Sequence, residues 1–116
     1  MLELEVVEEI VDQHIRLALV GALDTQGQTQ ISIKITALTV PFRRDTIVDM
    51  SGVTYISSMG IGLLLSISSG LQRYGKRLFL LAPQPLVANV LQVSRLQKQL
   101  QVVLSEEQLQ RALAGD

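Results

Sequence analysis

Apolar and polar residues alternate along the first part of the chain. Within residues 14–21 every second position from Ile15 onward is apolar. A period of two places successive side chains on opposite faces of a strand, so this stretch predicts a strand with one face toward a core. Residues 4–11 alternate less regularly, and the two polar residues after them favour a turn. The pattern therefore predicts two strands joined as a hairpin at the start of the chain.

The next segment fits either a strand or a helix. Three isoleucines alternate as they would in a strand, although two of them share a helical stripe with Leu38. We expect a helix that Asp24 or Thr25 caps and that runs to about residue 38, because a connection is needed between two strands. Pro41 marks a boundary after it.

The middle of the chain predicts a strand followed by a helix. Residues 45–50 form an apolar run typical of a short buried strand, and Ser51-Gly52 favours a turn after it. Apolar residues then recur at helical spacing from Ser58. The apolar face of this helix holds Ile61, Leu64, Leu65, Ser68 and Leu71, and the opposite stripe holds Ser58, Gly62, Ser66, Ser69 and Arg73. The small residues of that stripe would let another protein come close, or would permit close packing within the fold.

The rest of the chain continues the alternation of strands and helices. Gly75 ends the central helix, and residues 78–82 form the continuous apolar run expected of a strand covered on both faces. A helix from residue 86 to about 96, a strand over residues 100–104 and a final helix capped by Ser105 follow. This order predicts an α/β fold with a mainly parallel sheet and an antiparallel pair at its start.

Composition limits the kinds of partner. The 116 residues suit one domain over residues 1–116, with 47% hydrophobic and 18% charged residues, as in folded chains. A net charge of −1 and few aromatic residues argue against nucleic acid or an anionic membrane as a partner. The chain has no cysteine, which excludes disulfides and thiolate metal sites.

Two stretches bear on location. The first five residues are acidic where a secretion signal would be basic, so we expect a cytoplasmic protein. Residues 50–72 carry no charge over the length of a membrane span, but the serines and glycines among them favour a turn and a buried helix over insertion.

The sequence offers little catalytic machinery. His14 is the one histidine and opens a predicted strand, and no cysteine exists to act with it. Gly60-Ile61-Gly62 is too short a match for a dinucleotide-binding loop. Asp24, Asp45 and Asp49 could share a metal or act as acid and base, but nothing in their spacing brings them together. We therefore expect a binding protein with no catalytic residue, metal or cofactor.

Ser57 and Ser58 stand where the central helix begins. A serine at this position often caps the helix, because its oxygen accepts a backbone N–H that the helix leaves unsatisfied. The positive end of a helix also suits a phosphate group, which carries about −1.5 to −2 charges at neutral pH. The residues alone leave both interpretations open.

Three stretches together resemble a STAS domain of the anti-sigma-factor antagonist type. They are residues 20–24, residues 75–80 and a central run, residues 47–65, that contains Asp49-Met50-Ser51-Gly52-Val53-Thr54-Tyr55-Ile56-Ser57-Ser58-Met59-Gly60-Ile61-Gly62. The resemblance implies an α/β STAS-like fold, a small mixed, mostly parallel sheet of about five strands flanked by about four helices.

The same resemblance implies a non-enzymatic partner switch. In that family the unmodified protein binds an anti-sigma factor with serine-kinase activity and so frees a sigma factor. Phosphorylation of a serine at the start of the central helix breaks the complex, and a phosphatase reverses the modification.

One position departs from the family pattern. Family members usually carry Asp-Ser-Ser-Gly before the helix, with the second serine phosphorylated, whereas this chain has Ser57-Ser58-Met59-Gly60. Met59 takes the place of the usual acceptor, which leaves Ser58 as the first phosphorylation candidate and Ser57 as the second. Alternatively the switch is lost and Met59 is a permanent apolar contact, for which its flexible side chain is suited.

The hypothesis that follows is a partner-binding surface at the helix start. Its predicted members are Gly21, Asp24, Thr25, Ser57, Ser58, Met59, Gly62 and Ser66. Two alternatives remain: a STAS-type docking subunit of a transport or larger signalling complex, and a module that binds a small ligand or nucleotide at the helix terminus.

Overall fold

The computed structural model describes residues 9–11, 14–23, 35–37, 39–93 and 100–115. These residues contain a five-stranded sheet in the order β1-β2-β3-β4-β5. The strands are β1 (Glu9–Val11), β2 (His14–Leu23), β3 (Asp45–Ile56), β4 (Leu78–Leu81) and β5 (Gln101–Val103). β1 pairs antiparallel with β2, and every other pair is parallel, so the predicted mixed, mostly parallel sheet is confirmed.

Three α-helices connect or follow the strands in the described residues: α1 (Ser58–Gln72), α2 (Pro85–Val93) and α3 (Glu106–Leu113). A short 3-10 turn at Val40–Phe42 precedes β3. The predicted helix from residue 24 to about 38 lies mostly outside the described residues, although residues 35–37 and 39 are helical. No helix of the described ranges has both the length and the hydrophobicity that crossing a bilayer requires.

The core lies on both faces of the sheet. The alternating apolar residues of β2 pack with the buried faces of α1 and α2 on one side. On the other side Leu109 of α3 packs against residues of β3, β4 and β5. Adjacent residues of β4 point to opposite faces, and all four are buried, which explains why this strand is a continuous apolar run.

The cap of α3 forms as the sequence predicts. Ser105 Oγ accepts a hydrogen bond from Gln108 N at 3.2 Å. The Gln108 side chain reaches back and accepts from Leu104 N at 2.9 Å, one residue before the cap. These two bonds satisfy backbone donors that the first turn cannot pair internally.

The predicted turn at Ser51-Gly52 is wrong, because β3 continues through both residues to Ile56. β2 pairs with β3 along this extension, from Val20 opposite Gly52 to Leu23 opposite Ile56, with one shift of register just before Val20 and a second between Gly21 and Ala22. The Asp49 carboxylate accepts hydrogen bonds from Ser51 N at 2.9 Å and Ser51 Oγ at 2.7 Å. Ser51-Gly52 therefore lies in an irregular part of β3 and does not end the strand.

Candidate functional site

The junction between β3 and α1 is tied to the end of β2. Ser57 N donates to the carbonyl oxygen of Leu23 at 2.9 Å. Ser57 has extended backbone angles (φ −92°, ψ 170°), and its Oγ accepts from Gly60 N at 3.2 Å as the N-cap of α1. Ser57 therefore caps α1 and is half-buried. Ser58 lies on the first turn of the helix and is exposed.

Gly60 allows the first turn of α1 to lie directly against β2. A Cβ at this position would lie 2.7 Å from the backbone oxygen of Leu23 and 3.0 Å from side-chain atoms of Leu23 and Ile56. Both distances are shorter than van der Waals contact, and the nearest atom belongs to the backbone. The fold thus requires a glycine here.

Gly62 lies two residues further along α1, on nearly the opposite side of the helix, and has contrasting surroundings. A Cβ built on it would have no neighbour within 4 Å, and the residue is exposed. Ser58, Met59 and Ser66 are exposed beside it, with Met59 67% exposed. The predicted stripe of small and polar residues on α1 faces solvent over its whole length. We call its first part, together with the neighbouring methionine, the α1 stripe (Ser58, Met59, Gly62 and Ser66).

An open groove of about 810 Å³ runs along the α1 stripe. Its other side comes from the segment before β3, and its lining residues are Thr36, Ala37, Val40, Pro41, Ser58, Met59, Gly62, Leu63 and Ser66. The sequence did not predict the wall formed by residues 36–41. Of these residues the sequence assigns a role only to Pro41, as the boundary after the preceding helix.

The remaining predicted members of the surface separate into two groups. Gly21 lies within β2, has a positive φ of 107° and pairs with Val53, but it does not line the groove. Asp24 and Thr25 lie outside the described residues, so their predicted roles as surface residues and helix cap stay predictions.

Asp45 and Asp49, two of the three carboxylates considered for metal or acid–base chemistry, have structural partners, and Asp24 lies outside the described residues. Asp45 Oδ1 and Oδ2 accept from Arg77 N at 2.9 Å and Arg77 Nη2 at 2.8 Å. Burial raises the pKa of Asp45, but these hydrogen bonds outweigh it and hold the pKa below its ordinary value. Asp49 instead binds Ser51. Within the described residues no group of three or more His, Cys, Asp or Glu side chains is placed to hold a metal ion.

Comparison with known proteins gives a family and a set of structural relatives. A family model described as "Mlab, STAS domain" matches residues 6–105. No curated protein matches the sequence.

Among solved structures, the anti-sigma factor antagonist SpoIIAA in its unphosphorylated form is 27% identical, with 100% of this chain and 98% of that chain covered and a TM-score of 0.71. The phosphorylated form of SpoIIAA from Bacillus is 26% identical, with 97% and 99% covered and a TM-score of 0.64. A Thermotoga maritima protein assigned as a candidate anti-sigma factor antagonist has 16% identity, 92% of both chains covered and a TM-score of 0.83.

Proposed function

The chain belongs to the STAS domain family, and from this premise we propose that it is an anti-sigma factor antagonist that binds its partner through the α1 stripe. The partner would be an anti-sigma factor of the serine-kinase-like type, and a phosphatase would complete the cycle if the switch operates. The likeness to SpoIIAA over the full chain supports this choice within the family.

The observation that carries the proposal is Gly62. A glycine inside a helix is less favourable than alanine by about 0.8–1 kcal/mol. At Gly60 the backbone of Leu23 leaves no room for a side chain, which explains why a glycine stands there despite its cost. Nothing in the described structure lies close enough to Gly62 to exclude a side chain. A partner whose surface lies directly on α1 would require a residue without a side chain at this position.

Met59 suits the same surface. Its side chain is 67% exposed beside the groove, and methionine is a flexible, polarisable residue that adapts to an apolar partner. We propose that it inserts between apolar groups of the anti-sigma factor. A charge introduced there would lose solvation in the complex without gaining a partner.

Ser58 is the proposed phosphorylation site. It is exposed at the start of α1, whereas the Ser57 hydroxyl already accepts from Gly60 N and the Ser57 backbone is bonded to Leu23. A phosphate on Ser58 is compatible with its own helix, because the N-terminal dipole favours an anion. In the complex it would bury about two negative charges against small and apolar groups at a cost of several kcal/mol. Since about 1.4 kcal/mol changes affinity tenfold, this is enough to dissociate a micromolar complex.

Calorimetric titration of the protein with such an anti-sigma factor tests the surface. Gly62→Arg should abolish binding, because a long side chain would stand where the partner must approach. Ser69→Arg is the matched control, since Ser69 is exposed on the same side of α1 but does not line the groove. Equal affinities of the two variants would refute the α1 stripe as the interface.

The phosphorylation step has its own test. The protein is incubated with the anti-sigma factor and ATP, and mass spectrometry then locates any phosphate. We expect it on Ser58, and we expect Ser58→Asp to weaken binding while Ser58→Ala preserves it.

If Ser58→Asp binds as tightly as the unmodified protein, the switch is absent and Met59 makes a permanent docking contact. Titration with ATP or GTP alone tests the remaining alternative, and heat of binding at micromolar nucleotide would favour a ligand-binding module.

A further inference from the structure

Half of the basic residues of the chain lie in two loops at the amino-terminal ends of β3 and β4. These loops, residues 40–45 and 72–77, contain Arg43, Arg44, Arg73, Lys76 and Arg77, out of ten Lys and Arg in all. Asp45 is the one acidic residue in either loop. The net charge of −1 for the whole chain therefore conceals a local excess of positive charge.

The fold brings the two loops together. Thr46 N donates to Arg77 O at 2.9 Å, and Asp45 binds both the backbone and the side chain of Arg77. The guanidinium of Arg43 lies 4.4 Å from the ring centroid of Tyr74, which joins the loops a second time. We call the surface formed by Phe42, Arg43, Arg44, Arg73, Tyr74 and Lys76 the basic patch.

The cations of the basic patch form no ion pair within the described residues, although Lys76 lies near enough to Asp45 to help lower its pKa. Among the described residues, Asp45 forms its ion pair with Arg77, which lies outside the patch. No ion pair of the described residues involves a cation of the patch, that is Arg43, Arg44, Arg73 or Lys76. Arg43, Arg73 and Lys76 are exposed, and Arg44 is half-buried. The patch therefore presents cations whose field is directed into solvent.

Aromatic side chains lie among these cations. Phe42 is 46% exposed and Tyr74 is 43% exposed. The 3-10 turn that carries Phe42 has no buried residue, so this ring is not a component of the core. An exposed apolar ring beside cations is suited to contact a surface at which charged groups lie next to hydrocarbon.

We propose that the basic patch docks the protein peripherally on an anionic phospholipid bilayer. The cations would face the lipid phosphates, and Phe42 would enter the boundary between headgroups and acyl chains. A nucleic acid duplex would use the cations but would leave Phe42 in water, because its bases are paired and stacked on one another, and one face of Tyr74 already carries Arg43. The combination of charge and exposed phenyl ring therefore favours a lipid surface.

The basic patch adjoins the carboxyl-terminal end of α1, whereas Ser58 stands at the beginning of this helix of 15 residues, about 20 Å distant along the axis. Phe42 directly follows Pro41, which lines the groove beside the α1 stripe. Lipid contact through the cations of the patch is therefore separated from Ser58 by the length of the helix. The inference does not depend on the anti-sigma factor proposal, because the residues differ.

Vesicle flotation with the full chain tests the charge component. The protein should float with vesicles of phosphatidylcholine and phosphatidylglycerol at low salt, should not float with phosphatidylcholine alone, and should be released by high salt. Each basic residue near an anionic surface strengthens binding about fivefold, so Arg43→Gln with Arg44→Gln should weaken it about 25-fold. Arg16→Gln is the control, because Arg16 is already paired with Glu106 and its loss should leave flotation unchanged.

The apolar component is tested with Phe42→Ser against Leu86→Ser. Leu86 is 70% exposed and lies on α2, outside the patch, so it is an exposed apolar control. Phe42→Ser should weaken flotation at low salt, where the unmodified protein binds, and Leu86→Ser should not. Thermal melts establish that every variant is folded.

Three results would overturn the proposal: no flotation with anionic vesicles, equal flotation with vesicles of phosphatidylcholine alone, or full retention of binding by the double arginine variant. Binding of duplex DNA that depends on Arg43 and Arg44, without vesicle binding, would likewise overturn it in favour of nucleic acid.

Discussion

The two glycines of the first turns of α1 should respond in opposite ways to the same substitution. Gly62→Ala adds a methyl group where no atom lies within 4 Å, so only the helix preference changes. We expect a gain in the free energy of unfolding of about 0.8–1 kcal/mol. Gly60→Ala gains the same preference but places its Cβ 2.7 Å from the Leu23 carbonyl oxygen.

The cost at Gly60 is estimated from that contact. Inserting a methyl group into a close-packed site costs about 1–3 kcal/mol. A shift of α1 that relieves it also stretches the bond from Ser57 N to Leu23 O, whose loss costs about 0.5–1.5 kcal/mol. After the helix gain is subtracted, Gly60→Ala should destabilise by about 0.5–4 kcal/mol. Because the helix gain is common to both variants, they should differ by about 1.5–4.5 kcal/mol.

Urea unfolding followed by circular dichroism measures both values. The midpoint should rise for Gly62→Ala and fall for Gly60→Ala, with the slope unchanged in each. Equal stabilisation of the two variants would show that the start of α1 is not held against β2. Destabilisation of Gly62→Ala would show that this position is packed within the fold, which would remove the argument for a partner there.

Three further predictions concern other parts of the fold. Ser57→Ala should destabilise by about 1 kcal/mol through loss of the cap, whereas Ser58→Ala should change the unfolding free energy by less than about 0.5 kcal/mol; equal losses would contradict the assignment of the cap to Ser57. Ala82→Gly should stabilise by about 1 kcal/mol in thermal unfolding, because Ala82 has a left-handed φ of 52°, and a loss of stability would exclude relief of strain as the dominant effect. Asp45→Asn should destabilise by about 1.5–3 kcal/mol at neutral pH. The pKa of Asp45 is lowered in the folded state, so its ionised form stabilises the fold above the unfolded pKa of about 3.9. The difference in unfolding free energy between Asp45→Asn and the unmodified protein should therefore shrink as pH falls below about 4. A difference that does not change with pH would mean that the contact with Arg77 does not depend on charge.

Much of the fold was accessible from local patterns. The alternation in β2, the apolar run of β4 and the cap at Ser105 each depend on residues close in sequence, and each is found in the structure. The turn predicted at Ser51-Gly52 failed because pairing with β2 is a long-range interaction that overrides local turn preference. Turn residues alone do not reveal whether a neighbouring strand continues.

The candidate site was predicted in part. The exposed stripe of α1 follows from helical spacing, and the residues predicted for it are exposed. The opposite wall of the groove could not be predicted, since residues 36–41 and α1 are separate segments whose approach is decided by packing. The basic patch could not be predicted from the sequence either. Arg43 and Lys76 belong to separate loops, and the parallel pairing of β3 and β4 brings these loops side by side.

By itself the sequence determined most of the strands, the helices that flank the sheet and the place where α1 begins. The periodicity of apolar residues and the capping residues act within a few positions of one another, so they can be recognised locally. Only the tertiary structure decided which hydroxyl at that start is the cap and which is exposed to solvent, and why Gly60 is needed by the fold when Gly62 is not. Those distinctions depend on the carbonyl of Leu23, which pairing of β2 with β3 places against α1. A contact between distant segments has no signature in the local order of residues, and such contacts distinguish the structural residues of this junction from those that are exposed to solvent.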